Sequence, residues 1–194
     1  MIQTVELQHA YRLMNHGPTV LVSAAHGGQR NLMAAAWAMP LDFAPPKVAV
    51  VLDKSTHTRA LVEASGEFAL QLPCRAQADL AFTVGNSSGA ELAAAGDDKF
   101  ARWHIGHFAA ERIGAPLVEG CVAWLECRLI PVADNQQGFD LFLGEVVAAR
   151  ADDRVFSGGR WHFDTAPDDL RTLHHVAAGH FLLPGGAVQG RMLP

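Results

Sequence analysis

Lys54, Ser55, Thr56 and Thr58 crowd the turn in "LDKSTHTRALVEASGEF", where an apolar, strand-like stretch gives way to a helical one. Residues of these types do one of two jobs at a helix start. A single hydroxyl, Ser55 or Thr56, would cap the helix by accepting from a first-turn amide, which contributes about 1 kcal/mol. A lysine and several hydroxyls, set beside unpaired N–H groups and a partial positive charge, would instead cradle a phosphate. Capping needs only one hydroxyl, and no glutamate follows three residues later to complete a capping box. Clusters of this composition are also common at ordinary helix starts. The stretch by itself leaves both readings open.

Other side chains with chemical potential are less organised. Cys74, Cys121 and Cys127 cannot all pair, and none forms C-x-x-C. Buried free thiols in a reducing compartment are the better expectation. Cys121 and Cys127 are six apart on an expected strand, which predicts that both face one side. His104 and His107 form H-x-x-H without a glutamate pattern or a nearby cysteine, so no metal site is expected. His174 and His175 are neighbours and should diverge. There is no catalytic triad and no paired-carboxylate signature.

The 194 residues suit one domain, 1–194, with a sizeable core. Hydrophobic residues make up 49% and charged residues 18%. The longest apolar run, "LMAAAWAMPL", is too short to span a bilayer. The opening residues lack the basic-then-apolar order of a signal peptide, so a cytoplasmic protein is expected. A net charge of −5 and no basic stripe argue against nucleic acid as a partner.

The elements that must position the turn follow from periodicity. Residues 4–14 have helical spacing. "TVLVSAA" is strand-like, "HGGQR" is a turn, and "NLMAAAWAMPL" is strand and loop, closed by Pro40 and the Pro45–Pro46 pair. A strand over 47–52 leads to a helix over 57–64, with Ala60, Leu61 and Ala64 on one face and Gly66 as its stop. A strand "EFALQLP", a helix over 75–84 and a small-residue loop over 85–99 follow. In "CVAWLECRLIPV" the apolar positions alternate with a polar face carrying Glu126 and Arg128. "ADNQQG" is expected to join it as a hairpin to the long strand "FDLFLGEVVAARAD". Six or more strands with short helices predict a mainly β fold, an antiparallel barrel with peripheral helices.

Taken in order, these segments resemble the flavin reductase-like family of FMN-binding split barrels, above all its flavoredoxin-like members. The matching pieces are "GPTVLVSA", Asn31 followed by "AWAMPLDFAPPKVAV", "KSTHTRALVEASGEFALQLP", "GAPLVEGCVAWLECRL", "LFLGEV" and "LHHVAAGHF", over roughly residues 15–182. The resemblance implies a split β-barrel homodimer with FMN near the subunit interface. Ala36, Trp37, Ala38 and Met39 would then lie along the isoalloxazine ring. Asn31 would help fix its pyrimidine side, and Lys54, Ser55, Thr56 and Thr58 would take the phosphate. With the family in view, phosphate binding becomes the favoured account of the hydroxyl cluster. Many members carry a histidine just before the strand that here reads "DLFLGEV", where this chain has Phe139. His175 matches a tail position that either faces the ring or packs the C-terminal segment.

The activity this implies is NAD(P)H-dependent reduction of flavin, with electrons delivered to free flavin or a partner protein. Its alternatives are a flavin-binding electron carrier without its own NAD(P)H activity, or a non-catalytic split-barrel binding module. Hydride transfer needs no general acid or base, and no catalytic side chain is assigned. No G-x-G-x-x-G fingerprint marks a nicotinamide site, so NADH and NADPH stand equal.

Overall fold

The computed structural model of the chain describes residues 17–193, so the helix expected over 4–14 lies outside the described residues. Strand β1 (Val20–His26) turns through Gly27 and Gly28, both at positive φ, into β2 (Gln29–Ala35). Two left-handed residues make the mirror-image turn whose twist matches that of the flanking strands, and glycine takes both positions without strain. β3 (Ala38–Phe43) and β4 (Pro46–Val51) form a second hairpin, and β5 (Glu67–Leu72) follows helix α1 (His57–Ser65). Two short strands, β6 (His107–Phe108) and β7 (Leu117–Val118), precede the long pair β8 (Ala123–Ile130) and β9 (Leu141–Ala151).

The main sheet is antiparallel with order β2-β1-β5-β8-β9-β4-β3. β2 and β3 therefore lie at opposite edges, yet only Ala36 and Trp37 separate them in the chain. Three residue steps reach no more than about 10 Å, so the sheet has to curl until its edges nearly meet. The result is an antiparallel barrel left open along one seam.

Val20, Val22, Val50, Phe68, Leu70, Cys127 and Phe142 fill the inside, and α1 closes one end with Leu61 and Val62. At Gly144 of β9 an added Cβ would stand 2.5 Å from the Phe68 ring, so only glycine lets that strand pass. Outside, α2 (Ala78–Gly85) sets Ala81 and Val84 against Leu21 and Leu32, joined by Phe100 of α4 (Lys99–Arg102). Two further hairpins, β10 (Phe156–Ser157) with β11 (Arg160–Trp161) and β12 (His174–Ala177) with β13 (His180–Leu182), lie beside the barrel. Among the described residues no helix is long and apolar enough to cross a membrane.

Several expectations need correction. The stretch 85–99 is not loop throughout: Ser88 accepts from the Glu91 amide and starts α3 (Gly89–Ala94). "ADNQQG" is no hairpin turn but a short helix, α5 (Ala133–Phe139). α1 buries Thr58, Arg59, Leu61 and Val62, while Ala60 and Ala64 face outward. Cys121 precedes β8 and joins the outer cluster with α2, whereas Cys127 points into the barrel. The two thiols thus occupy different cores. Glu126, on the expected polar face, is buried and accepts from the Glu111 and Arg112 amides, which pins the loop crossing that face. All three cysteines are buried and free. Burial pushes the Cys127 thiol up to about 12 and raises Cys74 and Cys121 as well.

Candidate functional site

The β4–α1 turn is the first part of the site. Neither Ser55 nor Thr56 caps α1: Thr56 holds the N-cap position, but no side chain accepts from the first-turn amides. The Thr56 hydroxyl donates instead to the Asp53 carbonyl at 2.8 Å, and the Ser55 hydroxyl donates to Asp53 Oδ1 at 2.6 Å. α3 and α4 are capped by Ser88 and Asp98, whereas α1, like α2 and α5, has no capping side chain. The simple capping account is therefore excluded.

Thr58 has a different task. It is fully buried, and its hydroxyl accepts from Asn31 Nδ2 at 2.8 Å. Gly89 at the start of α3 closes over this pair, since an added Cβ there would lie 2.4 Å from Asn31 Oδ1. Asn31 thus joins the inner face of β2 to the first turn of α1 and fixes where that turn sits. Lys54 reaches away from the helix: its ammonium donates to the Gln137 carbonyl at 2.8 Å and lies 3.9 Å from Asp140.

Sequence reasoning missed Arg59. This buried guanidinium pairs with Asp140 and with Glu63 at 3.0 Å, and donates to the carbonyls of Gln136 (2.9 Å) and Leu52 (3.2 Å). It also lies over the Phe142 ring at 5.1 Å. It locks α1 to α5 and β9, so the turn carrying the hydroxyls is rigidly mounted. The i,i+4 spacing of Arg59 and Glu63 was the one visible signal.

The second part is a cleft of about 510 Å³ between the end of β2 and the β12–β13 hairpin. Ala34, Ala35, Ala36 and Trp37 form one wall, His175 and Ala178 the other, and Asp53 of the β4–α1 turn also lines it. A recess of about 240 Å³ continues it past Ala36 and His175 to Phe82 of α2 and Asn86 just after it. The hairpin tip rests on α2, because a Cβ at Gly179 would stand 3.1 Å from the Phe82 ring. His175 is fixed by its amide, which donates to Thr19 Oγ1 at 3.0 Å, and by an edge contact of its ring with Phe181. The expected quartet divides between two cavities. Ala36 and Trp37 line the cleft, whereas Ala38 and Met39 line a separate apolar chamber of about 590 Å³ in the barrel mouth, with Leu70, Leu125 and Trp161.

The arrangement offers a slot walled mainly by small residues, with Asp53 of the β4–α1 turn in its lining and an α1 start that no side chain caps. That combination suits a flat ring system joined to an anion. Among the described residues no group of three or more His, Cys, Asp or Glu side chains is gathered for a metal ion. His107 Nε2 lies 2.7 Å from Arg30 Nη1, and no metal-type partner set surrounds it.

Comparison with known proteins places the fold and the sequence. The sequence profile of the flavin reductase like domain matches residues 11–167. The chain is 48% identical over 187 residues, 95% of each chain, to the uncharacterized protein YddH of Escherichia coli (strain K12). Its fold is similar to the crystal structure of an FMN-binding domain of a flavin reductases-like enzyme from Shewanella baltica OS155. That likeness has a TM-score of 0.85 and 50% identity over 97% of both chains. Flavoredoxin of Desulfovibrio vulgaris (Miyazaki F) shares the fold at TM-score 0.80 and 24% identity, over 98% of this chain and 97% of that one. On the breadth of the profile match and the near-complete coverage of these relatives, the chain belongs to the flavin reductase-like family.

Proposed function

We propose that this protein is an FMN-binding oxidoreductase that accepts hydride from NADH or NADPH and delivers electrons to free flavin or to an electron-accepting protein. The observation that carries the proposal is that Asp53, in the turn leading into the uncapped α1, shares the lining of the Ala34–Trp37 cleft. A cleft of about 510 Å³ falls in the ordinary range for cofactor pockets. Its alanines let a ring approach the backbone, and the α1 amides with Ser55 and Thr56 would face the phosphate. The similar Shewanella baltica protein is described as FMN-binding, which supports the choice of flavin.

Bound FMN would supply the hydride- and electron-accepting chemistry. The residues of the chain bind, orient and exclude water. Ala36 and Trp37 flank the ring, His175 and Ala178 cover it from the hairpin, and the buried Asn31–Thr58 pair holds the phosphate turn in register. Lys54, held on the Gln137 carbonyl, would have to leave it to meet the phosphate. Ala38 and Met39 support the ring segment from the barrel side. No side chain has to move a proton for hydride transfer.

A second copy of the chain is the proposed partner. Met39, Leu41 and Phe43 stand out from edge strand β3 at 57%, 45% and 93% exposure, next to the ring segment. An apolar edge strand of this kind calls for a cover.

The carrier reading keeps one supporting observation. Phe139, in the place where many relatives have histidine, is 74% exposed and does not line the cleft. Anaerobic addition of NADH or NADPH to the FMN-loaded protein separates the readings. Bleaching of the flavin absorbance is expected. Stable colour with both donors would favour the carrier, and failure to take up flavin at all would favour a binding module.

A further inference from the structure

We propose that Asp53 is a specificity-determining residue whose carboxylate weakens the hold on the flavin phosphate and so keeps the cofactor exchangeable; this rests on the functional reading above. Asp53 lines the cleft and belongs to the turn that leads into α1. Its Oδ1 accepts from the Ser55 amide at 2.8 Å and from the Ser55 hydroxyl at 2.6 Å. Its carbonyl accepts from the Thr56 amide at 3.0 Å and the Thr56 hydroxyl at 2.8 Å. Of the donors that a phosphate would use, the Ser55 amide and hydroxyl thus already serve an anion that belongs to the chain, and those of Thr56 serve its carbonyl. The Ser55 hydroxyl, with its amide, holds the Asp53 carboxyl below the usual carboxylate range, so it is ionised at neutral pH.

The cations around the turn, Arg59 and Lys54, offset this charge only in part, because each is engaged elsewhere. The Lys54 ammonium is directed to the Gln137 carbonyl and Asp140, and Arg59 is buried on Asp140 and Glu63. A flavin phosphate entering at the α1 start therefore meets a fixed negative neighbour and has to draw the Ser55 hydroxyl from it. A flavin without phosphate meets neither obstacle. The structure thus narrows the preference for FMN over riboflavin and favours release. Those are the properties of a site that trades flavin with solution, in contrast to one that retains a permanent group.

The test is titration of apoprotein with FMN and with riboflavin, read by quenching of flavin fluorescence, for wild type and Asp53→Asn. Asparagine keeps an oxygen that accepts from Ser55, so the turn is preserved and only the charge is lost. Removing one exposed unit charge beside a dianion should tighten FMN about tenfold. Riboflavin affinity should stay within about twofold, and the FMN gain should shrink as salt is raised. Stopped-flow release of FMN should slow in the variant. Unchanged or weaker FMN binding would overturn the proposal. Weaker binding of both flavins would assign the carboxylate to the ligand hydroxyls, which also overturns it. If Asp53→Asn melts early, Asp53→Ser is measured in its place; failure of both to fold would make the charge structural and dismiss the idea. If wild type binds neither flavin, the functional reading itself falls, a result distinct from any difference between variants.

Discussion

Replacing Ala36 with leucine should block the ring slot without unfolding the protein. Ala36 is shared by the main cleft and by the recess that continues it, so any bulk at this point divides the slot in two. In the free protein the three added carbons project into an open cleft, and stability should stay within about 0.5 kcal/mol of wild type. With a ring in place the same carbons overpack the contact, at a cost of about 1–3 kcal/mol. That range corresponds to flavin affinity weakened roughly five- to 150-fold. FMN and riboflavin should suffer alike, because the effect acts on the ring and not on the phosphate. Ala38→Leu is the control: its side chain enters the barrel-mouth chamber of about 590 Å³, which has room for it. Flavin binding should then be near normal. Fluorescence titration of both apoproteins, with a thermal midpoint for each, makes the comparison. The reasoning is refuted if Ala36→Leu binds both flavins like wild type, or if Ala38→Leu is the variant that loses them.

Three further outcomes follow from the same geometry. Arg59→Ala should lower stability to urea by about 3 kcal/mol, since it leaves Asp140 and two carbonyls without their guanidinium; a loss under 1 kcal/mol would contradict that role. Thr58→Ala should cost about 1–3 kcal/mol of stability by orphaning the buried Asn31 amide, whereas Ser55→Ala should leave stability unchanged and weaken FMN about two- to tenfold, sparing riboflavin. Lys99 is buried with its ammonium on the Val84 carbonyl at 2.7 Å, and burial pulls its pKa from 10.5 to about 8. Between these values the unfolded chain binds the extra proton, so this group makes stability rise with pH from about 8 to 10.5. The buried thiols act in the opposite sense, so the check is the difference in thermal midpoint between wild type and Lys99→Met: it should shift toward wild type across that window, and a flat difference would refute the assignment.

How much of this was legible in the residues depends on the range of the interaction that decides each feature. The Gly27–Gly28 hairpin, the α1 boundaries and the long β8 and β9 strands follow from local spacing and were readable. The crowding of hydroxyls before α1 was readable too, but not the partner of each one. Asn31 meets Thr58 only because β2 and α1 are brought together by the curled sheet, and 27 positions separate them. Arg59 and Asp140 are 81 positions apart, so the anchor behind the phosphate turn had no local signature. Glu126 was legible as part of a polar face, but alternation cannot show that a loop folds over that face. "ADNQQG" looked like a turn because its polar residues suit one; in the structure the Arg59 contact to Gln136 and the left-handed Asp140 hold it as α5. The split of Ala36 and Trp37 from Ala38 and Met39 follows from the break between β2 and β3, which a single apolar run conceals.

The central claim is the position of the flavin, and a crystal structure of the protein grown with FMN tests it most directly. The account predicts the isoalloxazine ring between Ala34–Trp37 and His175, with the phosphorus at the first-turn amides of α1 and Ser55 turned toward it. A ring seated in the barrel mouth against Met39, Leu125 and Trp161, or a phosphate away from the α1 start, would contradict it.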